Sequence, residues 1–203
     1  MNRRDALTLL AAAGLISGCA VPGNSGGTSG PVDLVEMVPV PGGHAATSSR
    51  HGPFEQDDGR ASGFTHDAIG AAVAATHISA RVTAAAGPEI ATATIAGQCW
   101  GDLASARRRL GAQMPLPATP PQPEFAPVAL WFRVLGGDPT GEQVVVSLLA
   151  DTPQSRAAGG LARVDATLRW SSADWQLRVP VARSSVYPDT DGYELLAPSG
   201  TPT

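Results

Sequence analysis

Apolar residues recur at helical spacing in the first half of the chain. The pattern predicts a helix from an N-cap at Thr65 to about Val82, and further helices over 88–96 and 102–110. Six prolines within 114–127 then predict an extended connection. The apolar positions of the first helix are Ile69, Ala72, Val73, Thr76 and Ala80.

Beyond residue 127 the period changes from about 3.6 to 2, which is typical of strands with one buried face. Alternation predicts strands over 128–135, 163–170 and 175–179, and a denser apolar run predicts a strand over 143–150 that is buried on both faces. The short polar segment 171–174 predicts the turn of a hairpin between the last two strands.

Helices followed by a meander of strands indicate an α+β fold, with N-terminal helices packed on one face of a curved antiparallel sheet. We place this domain at residues 63–183. Residues 19–62 are rich in Gly, Pro, Ser and Thr and read as a flexible tether, although 32–40 could form a small edge strand. Residues 184–203 have a similar composition and are expected to form a disordered tail.

Residues 1–18 have the pattern of an export signal. Arg3 and Arg4 precede an apolar run over 7–16, which at about 15 Å of helix is too short to span a bilayer. The run ends in Ile16-Ser17-Gly18-Cys19, which matches the lipobox of bacterial lipoproteins. We therefore expect a mature protein anchored through lipid on Cys19 to the outer face of the cell membrane. Whether export follows the twin-arginine or the general secretory route stays open.

Composition excludes some classes of partner. All fourteen basic residues are arginine and the formal net charge is −4, so we expect no nucleic-acid partner. The same bias, with the lipobox, indicates a high-GC, actinobacterial source. Once Cys19 carries lipid, Cys99 is alone and is expected to be a small buried apolar residue.

No familiar catalytic or metal-binding pattern occurs, and we expect neither a catalytic site nor a metal or cofactor. His44 and His51 fall in the expected tether, and His77 is expected at the edge of the core. His66, beside Asp67, could form an acid–base pair, but a half-exposed residue in the first helical turn is favoured. Candidate residues for a pocket or an interface are Trp131, Phe132, Trp170, Trp175 and His66.

A family resemblance covers roughly residues 52–180. The chain resembles an uncharacterised actinobacterial domain family in Gly52-Pro53, Asp58-Gly59, Gly63-Phe64-Thr65-His66 and the alanine-rich helix that follows. The Trp-containing hairpin around 167–180 fits the same pattern. The resemblance implies a cone-shaped fold, similar to the nuclear-transport-factor-like extracytoplasmic domain of type IV secretion scaffolds. It also implies a link to integrative or conjugative elements.

These observations favour a lipid-anchored interaction module, an accessory component of an envelope or conjugal-transfer assembly with envelope proteins as partners. The alternative is a ligand-binding lipoprotein with an apolar pocket between sheet and helix. A third hypothesis is an enzyme of the dehydratase or isomerase kind that uses His66 or His77. The partner, the ligand and the oligomeric state are left open.

The lipobox predicts that Cys19→Ala abolishes membrane anchoring. The variant should move from the detergent phase to the aqueous phase in a detergent phase-separation experiment on cells expressing the full chain. Cys99→Ala is the matched control, because it removes the other thiol and should leave the protein in the detergent phase. Retention of the Cys19→Ala protein with lipids would contradict the assignment.

Overall fold

The computed structural model describes residues 35–113 and 120–198, which form one α+β domain. Its N-terminal strands are β1 (Val35–Val40), β2 (Gly43–Ser48), β3 (Glu55–Asp57) and β4 (Arg60–Ser62). The helices and the strand between them are α1 (Ala68–Arg81), α2 (Pro88–Gln98), β5 (Cys99–Gly101) and α3 (Leu103–Gln113). The C-terminal elements are β6 (Ala129–Gly137), β7 (Gln143–Asp151), α4 (Pro153–Ala157), β8 (Leu161–Ser171), β9 (Asp174–Val179), β10 (Ser185–Tyr187) and β11 (Glu194–Ala197).

The largest sheet has seven strands. Six of them lie in the order β11-β6-β7-β8-β9-β5, and β10 pairs with the first residues of β8, which β9 does not reach. Helix α1 contacts β7, β8 and β9, whereas α3 contacts α2. The predicted sheet is wrong in one respect, since β5 runs parallel to β9 and the sheet is therefore mixed. The more than seventy residues between β5 and β9 leave ample chain for the crossover connection that a parallel pair needs.

The predicted meander is present, with the strands longer than expected. Strands β6, β7, β8 and β9 pair in sequence, each antiparallel to the one before it. The β8–β9 hairpin turns through Ser172 and Ala173, whose φ angles of 56° and 63° lie in the left-handed region. Two such residues make the tight turn whose twist matches the flanking strands.

Helix α1 begins two residues later than the sequence predicts. Asp67 is its N-cap, with its side chain accepting a hydrogen bond of 2.7 Å from the Gly70 amide. Thr65 instead lies before the helix, where its carbonyl accepts a hydrogen bond from the Trp175 indole. The tertiary contact to the β8–β9 hairpin therefore decides between two residues that are both good N-caps.

The second half of the predicted tether is folded. Residues 35–62 form two antiparallel hairpins, β1–β2 and β3–β4, while residues 1–34 lie outside the described residues. Hairpin β1–β2 is joined to α1 by two hydrogen bonds at Ala46. The Ala46 amide donates to Thr76 Oγ1 at 3.0 Å, and His77 Nε2 donates to the Ala46 carbonyl at 2.8 Å.

Hairpin β3–β4 is held by two buried side chains of the helices. Arg81 Nε donates to the Gly59 carbonyl at 2.6 Å, and Gln98 Nε2 donates to the Ala61 carbonyl at 2.6 Å. Gly59 has φ 73° in the turn, and a Cβ there would lie 2.6 Å from Ile90 Cδ1. The left-handed φ therefore favours glycine in the turn whose carbonyl accepts from Arg81.

The buried pair His77–Arg81 fixes the imidazole in one tautomer. Arg81 Nη1 donates to His77 Nδ1 at 2.9 Å, so Nε2 carries the proton that is donated to Ala46. Burial, and next the charge of Arg81, lower the pKa of His77 to about 4. Burial lowers the pKa of Arg81 to about 10, so its guanidinium stays charged at neutral pH.

Residues 184–198 of the expected disordered tail are also folded against the sheet. Strand β10 pairs with the first residues of β8, and β11 pairs with β6, where Leu196 and Ala197 are buried. Tyr193 attaches this segment to the sheet. Its hydroxyl forms a hydrogen bond of 2.9 Å with Ser147 Oγ, and the Arg133 guanidinium lies 4.5 Å from its ring centroid. Of the helices in the described ranges, none is long and apolar enough to cross a membrane.

Neutral His77 predicts acid destabilisation of the fold. Between pH 6.5 and pH 4 the unfolded histidine binds a proton that the folded one does not, so stability falls as pH falls. From pH 7 to pH 4.5 the free energy of unfolding should drop by about 2 to 3 kcal/mol more in the natural protein than in His77→Gln. Glutamine offers a donor and an acceptor but does not titrate. Parallel urea-unfolding profiles of the two proteins would contradict this prediction.

Candidate ligand-binding site

An apolar cavity of about 290 Å³ lies between helix α1, hairpin β1–β2 and the sheet. Its apolar walls come from Met37 of β1 and from inward-facing residues of three sheet strands. Those residues are Leu130, Leu148, Ala150, Ala162 and Val164. The packing of a helix over the end of a short hairpin leaves this space, because the six-residue strands of the hairpin do not cover the whole length of the sheet.

The turn of hairpin β1–β2 packs closely against helix α1 beside the cavity, because a glycine without a side chain forms the contact. At Gly42 φ is 85°, and a Cβ would lie 2.1 Å from the Ala80 carbonyl of α1. Gly42 and Gly43 line the cavity beside His44. Burial lowers the pKa of His44, so its imidazole is neutral near pH 7 and adds no fixed charge to the wall.

The polar atoms of α1 at the cavity differ in their hydrogen bonding. Thr76 Oγ1 accepts from the Ala46 amide and donates to the Val73 carbonyl. Ser79 Oγ is buried and has no hydrogen-bond partner among the described residues. An unpaired buried hydroxyl is costly, and Ser79 is the cavity-lining side chain among the described residues that carries one.

A second cavity, of about 330 Å³, adjoins the first. Both are lined by Gly42, Gly43, His44 and Pro127, while Pro120, Pro121, Gln122 and Ala85 line only the second. The two cavities therefore form a groove that continues from the sheet–helix space towards the proline-rich connection. A groove of this size, with mostly apolar walls and a few polar groups, is typical of small-molecule sites.

The residues that the sequence singled out lie elsewhere. His66 stacks on Trp170 with ring centroids 4.0 Å apart and an interplanar angle of 5°, and Trp175 meets both rings edge-on. His66 Nε2 donates to the Gly141 carbonyl at 2.8 Å. This aromatic cluster joins the start of α1 to the β8–β9 hairpin. It lines neither apolar cavity, whereas Trp175 lines a separate, polar cleft.

The remaining candidates divide between core and surface. Phe132 is buried in the core, whereas Trp131 points to the opposite face of β6. There it lies across from Leu195 of β11, which is 54% exposed. Cys99 is buried as predicted, and burial raises the pKa of its thiol to about 12. Arg3, Arg4 and Cys19 lie outside the described residues.

His51, expected in the tether, takes part in the start of helix α1. Its Nδ1 lies 3.1 Å from Asp67 Oδ2 and 2.9 Å from Thr65 Oγ1. Burial alone would raise the pKa of Asp67, but the hydrogen bond from the Gly70 amide and the contacts with Thr65 and His51 together lower it. The resulting carboxylate is stabilised as a helix cap.

Sequence reasoning raised a pocket between sheet and helix as an alternative but missed its lining, because four of the thirteen lining residues belong to 35–48, which were expected to form a tether. Pro41-Gly42-Gly43 between two short runs with apolar residues is a hairpin signal that could have revealed it. The groove around Ser79 and His44 is the candidate ligand-binding site.

Comparison with known proteins supplies a family. No curated protein and no solved structure matches the chain. The profile of a domain family of unknown function matches residues 12–194, which covers most of the chain and confirms the expected membership of an uncharacterised family. The chain belongs to the family described as "Domain of unknown function (DUF8175)".

Proposed function

We propose that this protein is an extracytoplasmic binding lipoprotein, held at the outer face of the membrane by lipid on Cys19, that receives a small apolar ligand. The observation that carries the proposal is the cavity between α1, hairpin β1–β2 and strands β6 to β8. Binding in this cavity would bury the apolar surface of a ligand, and each Å² of apolar surface removed from water contributes about 25 cal/mol to the binding free energy.

The polar groups of the cavity narrow the class of ligand. Neutral His44 and the unpaired Ser79 hydroxyl offer hydrogen bonds but no formal charge. The cavity therefore suits an uncharged or weakly polar molecule with an apolar body and one hydrogen-bonding group. A multiply charged ligand would lose its hydration without gaining a counterion.

The interaction module of an envelope or conjugal-transfer assembly is our second proposal, and a different surface favours it. Trp131 of β6 and Leu195 of β11 are cross-strand neighbours, and the Leu195 side chain is 54% exposed. Strand β11 lies at the edge of the sheet, and an exposed apolar side chain on an edge strand is typical of a protein contact. The resemblance to conjugation-linked actinobacterial domains with a nuclear-transport-factor-like cone supports this proposal. A bound apolar ligand and a protein partner can coexist, because the two surfaces are on opposite faces of β6.

Ala162→Leu tests the cavity. Ala162 lines it, and a leucine there should fill part of the space and weaken binding of the apolar fluorophore N-phenyl-1-naphthylamine about tenfold or more. Fluorescence titration of the purified full chain measures the affinity. Ala104→Leu is the matched control, because Ala104 is exposed on α3 and the same change there should leave binding unaltered.

Thermal unfolding of both variants shows whether the fold is kept. Native mass spectrometry of protein extracted gently from membranes provides the second readout, and a bound apolar molecule that is lost in Ala162→Leu supports the proposal. Equal fluorophore binding by the natural protein and folded Ala162→Leu would contradict it.

A further inference from the structure

A separate cleft, of about 290 Å³, lies at the C-terminal end of helix α2. Three elements form it: hairpin β3–β4, the C-terminus of α2 and the turn of the β8–β9 hairpin. It shares no lining residue with the apolar cavities. Its chemistry is also different, since carboxylates, hydroxyls and two amides line it beside Trp175.

Negative charge predominates in this cleft. Glu55, Asp57 and Asp174 contribute carboxyl groups and Arg60 contributes the one guanidinium among the lining residues. Glu55 and Asp57 are exposed, so they face solvent at the rim. The closest approach of Arg60 to Asp57 is 3.9 Å between Nη2 and Oδ2, a loose surface pair that leaves the Asp57 carboxylate open to a better donor.

Gln98 supplies an acceptor that the fold itself does not use. The side chain lines the cleft and is 8% exposed, and its Nε2 is committed to the Ala61 carbonyl at 2.6 Å. That bond fixes the orientation of the amide, and Oε1 is left buried with no hydrogen bond among the described residues. A buried carbonyl oxygen without a donor is uncommon and points to a donor brought by a ligand.

The helix end adds to the same field. Gly97 and Gln98 are the last residues of the eleven-residue helix α2, and its last turn contains no basic side chain. The unpaired carbonyls at a helix C-terminus carry partial negative charge, which favours a cation within about one turn. Carboxylates and the Gln98 amide thus line the same cleft, and Arg60 is the one basic side chain among the lining residues. Its guanidinium lies beside the helix end, where a Cβ on Gly97 would be 3.6 Å from Nη1, and its buried Nε has no hydrogen-bond partner among the described residues.

We propose that this cleft binds an organic cation of the guanidinium type, with its N–H groups directed at Gln98 Oε1 and at the carboxylates of Glu55 and Asp57. The planar fork of a guanidinium presents several donors at once, which suits acceptors on different elements. A metal ion is a poorer occupant, because no three His, Cys, Asp or Glu side chains in the described ranges are grouped to hold one. The cation can belong to a free small molecule or to an arginine side chain of another protein.

Calorimetric titration of the full chain in detergent at low ionic strength tests the proposal. The probes are agmatine, the blocked peptide acetyl-Gly-Arg-Gly-amide and the same peptide with neutral citrulline in place of arginine. We expect at least one cationic probe to bind, the citrulline peptide to bind at least about tenfold more weakly, and the affinity to fall as salt screens the charges. Binding of agmatine alone identifies a small-molecule cation, whereas binding of the arginine peptide identifies a protein side chain.

Charge-neutral variants locate the site. Glu55→Gln combined with Asp57→Asn should weaken cation binding about tenfold or more, and Glu36→Gln, an exposed position on β1, should leave it unchanged. Binding of N-phenyl-1-naphthylamine in the apolar cavity shows that the double variant is folded. This control is independent of the cation site, because the cavity and the cleft share no lining residue. Absence of binding by both cationic probes, equal binding of the citrulline peptide, or undiminished binding by the folded double variant would overturn the proposal.

Discussion

The guanidinium of Arg81 is the constraint on which the N-terminal part of this domain depends. The side chain is 1% exposed, and its donors reach the Gly59 carbonyl, the His77 carbonyl and His77 Nδ1. A charge buried in this way is costly unless its donors are satisfied. Because Gly59 belongs to the β3–β4 turn and His77 passes the chain of hydrogen bonds to Ala46 of β2, one side chain of α1 organises both hairpins.

Both proposed binding sites depend on the position of these two hairpins. The hairpins that Arg81 and His77 hold against α1 provide one wall of the apolar cavity and one wall of the acidic cleft. Helix α1 faces the first site through Ser79, while α2 faces the second through Gln98. The proposed apolar site and the proposed cation site therefore depend on the same buried polar network but share no lining residue.

The sequence predicted the elements whose pattern is local and left out those that depend on distant contacts. Period-2 alternation revealed β6 to β9, and helical spacing revealed α1 to α3. Strands β1 to β4 are three to six residues long, and half of their residues are polar. The hydrogen bonds that join β2 to α1 span about thirty residues of sequence. Trp170, Trp175 and His66 were singled out because they are large and aromatic, yet they pack with one another, and the cavity is lined by smaller residues such as Met37 and Ala162.

Hydrogen–deuterium exchange of Arg81→Met against the natural protein tests the central role of this network most directly. We expect amides of residues 43–48 and 59–62 to exchange much faster in the variant, while those of 164–179 in the β8–β9 hairpin keep their protection. Arg108→Met, at an exposed position on α3, is the control and should leave all of them unchanged. Unaltered protection of both N-terminal hairpins in folded Arg81→Met would contradict the account.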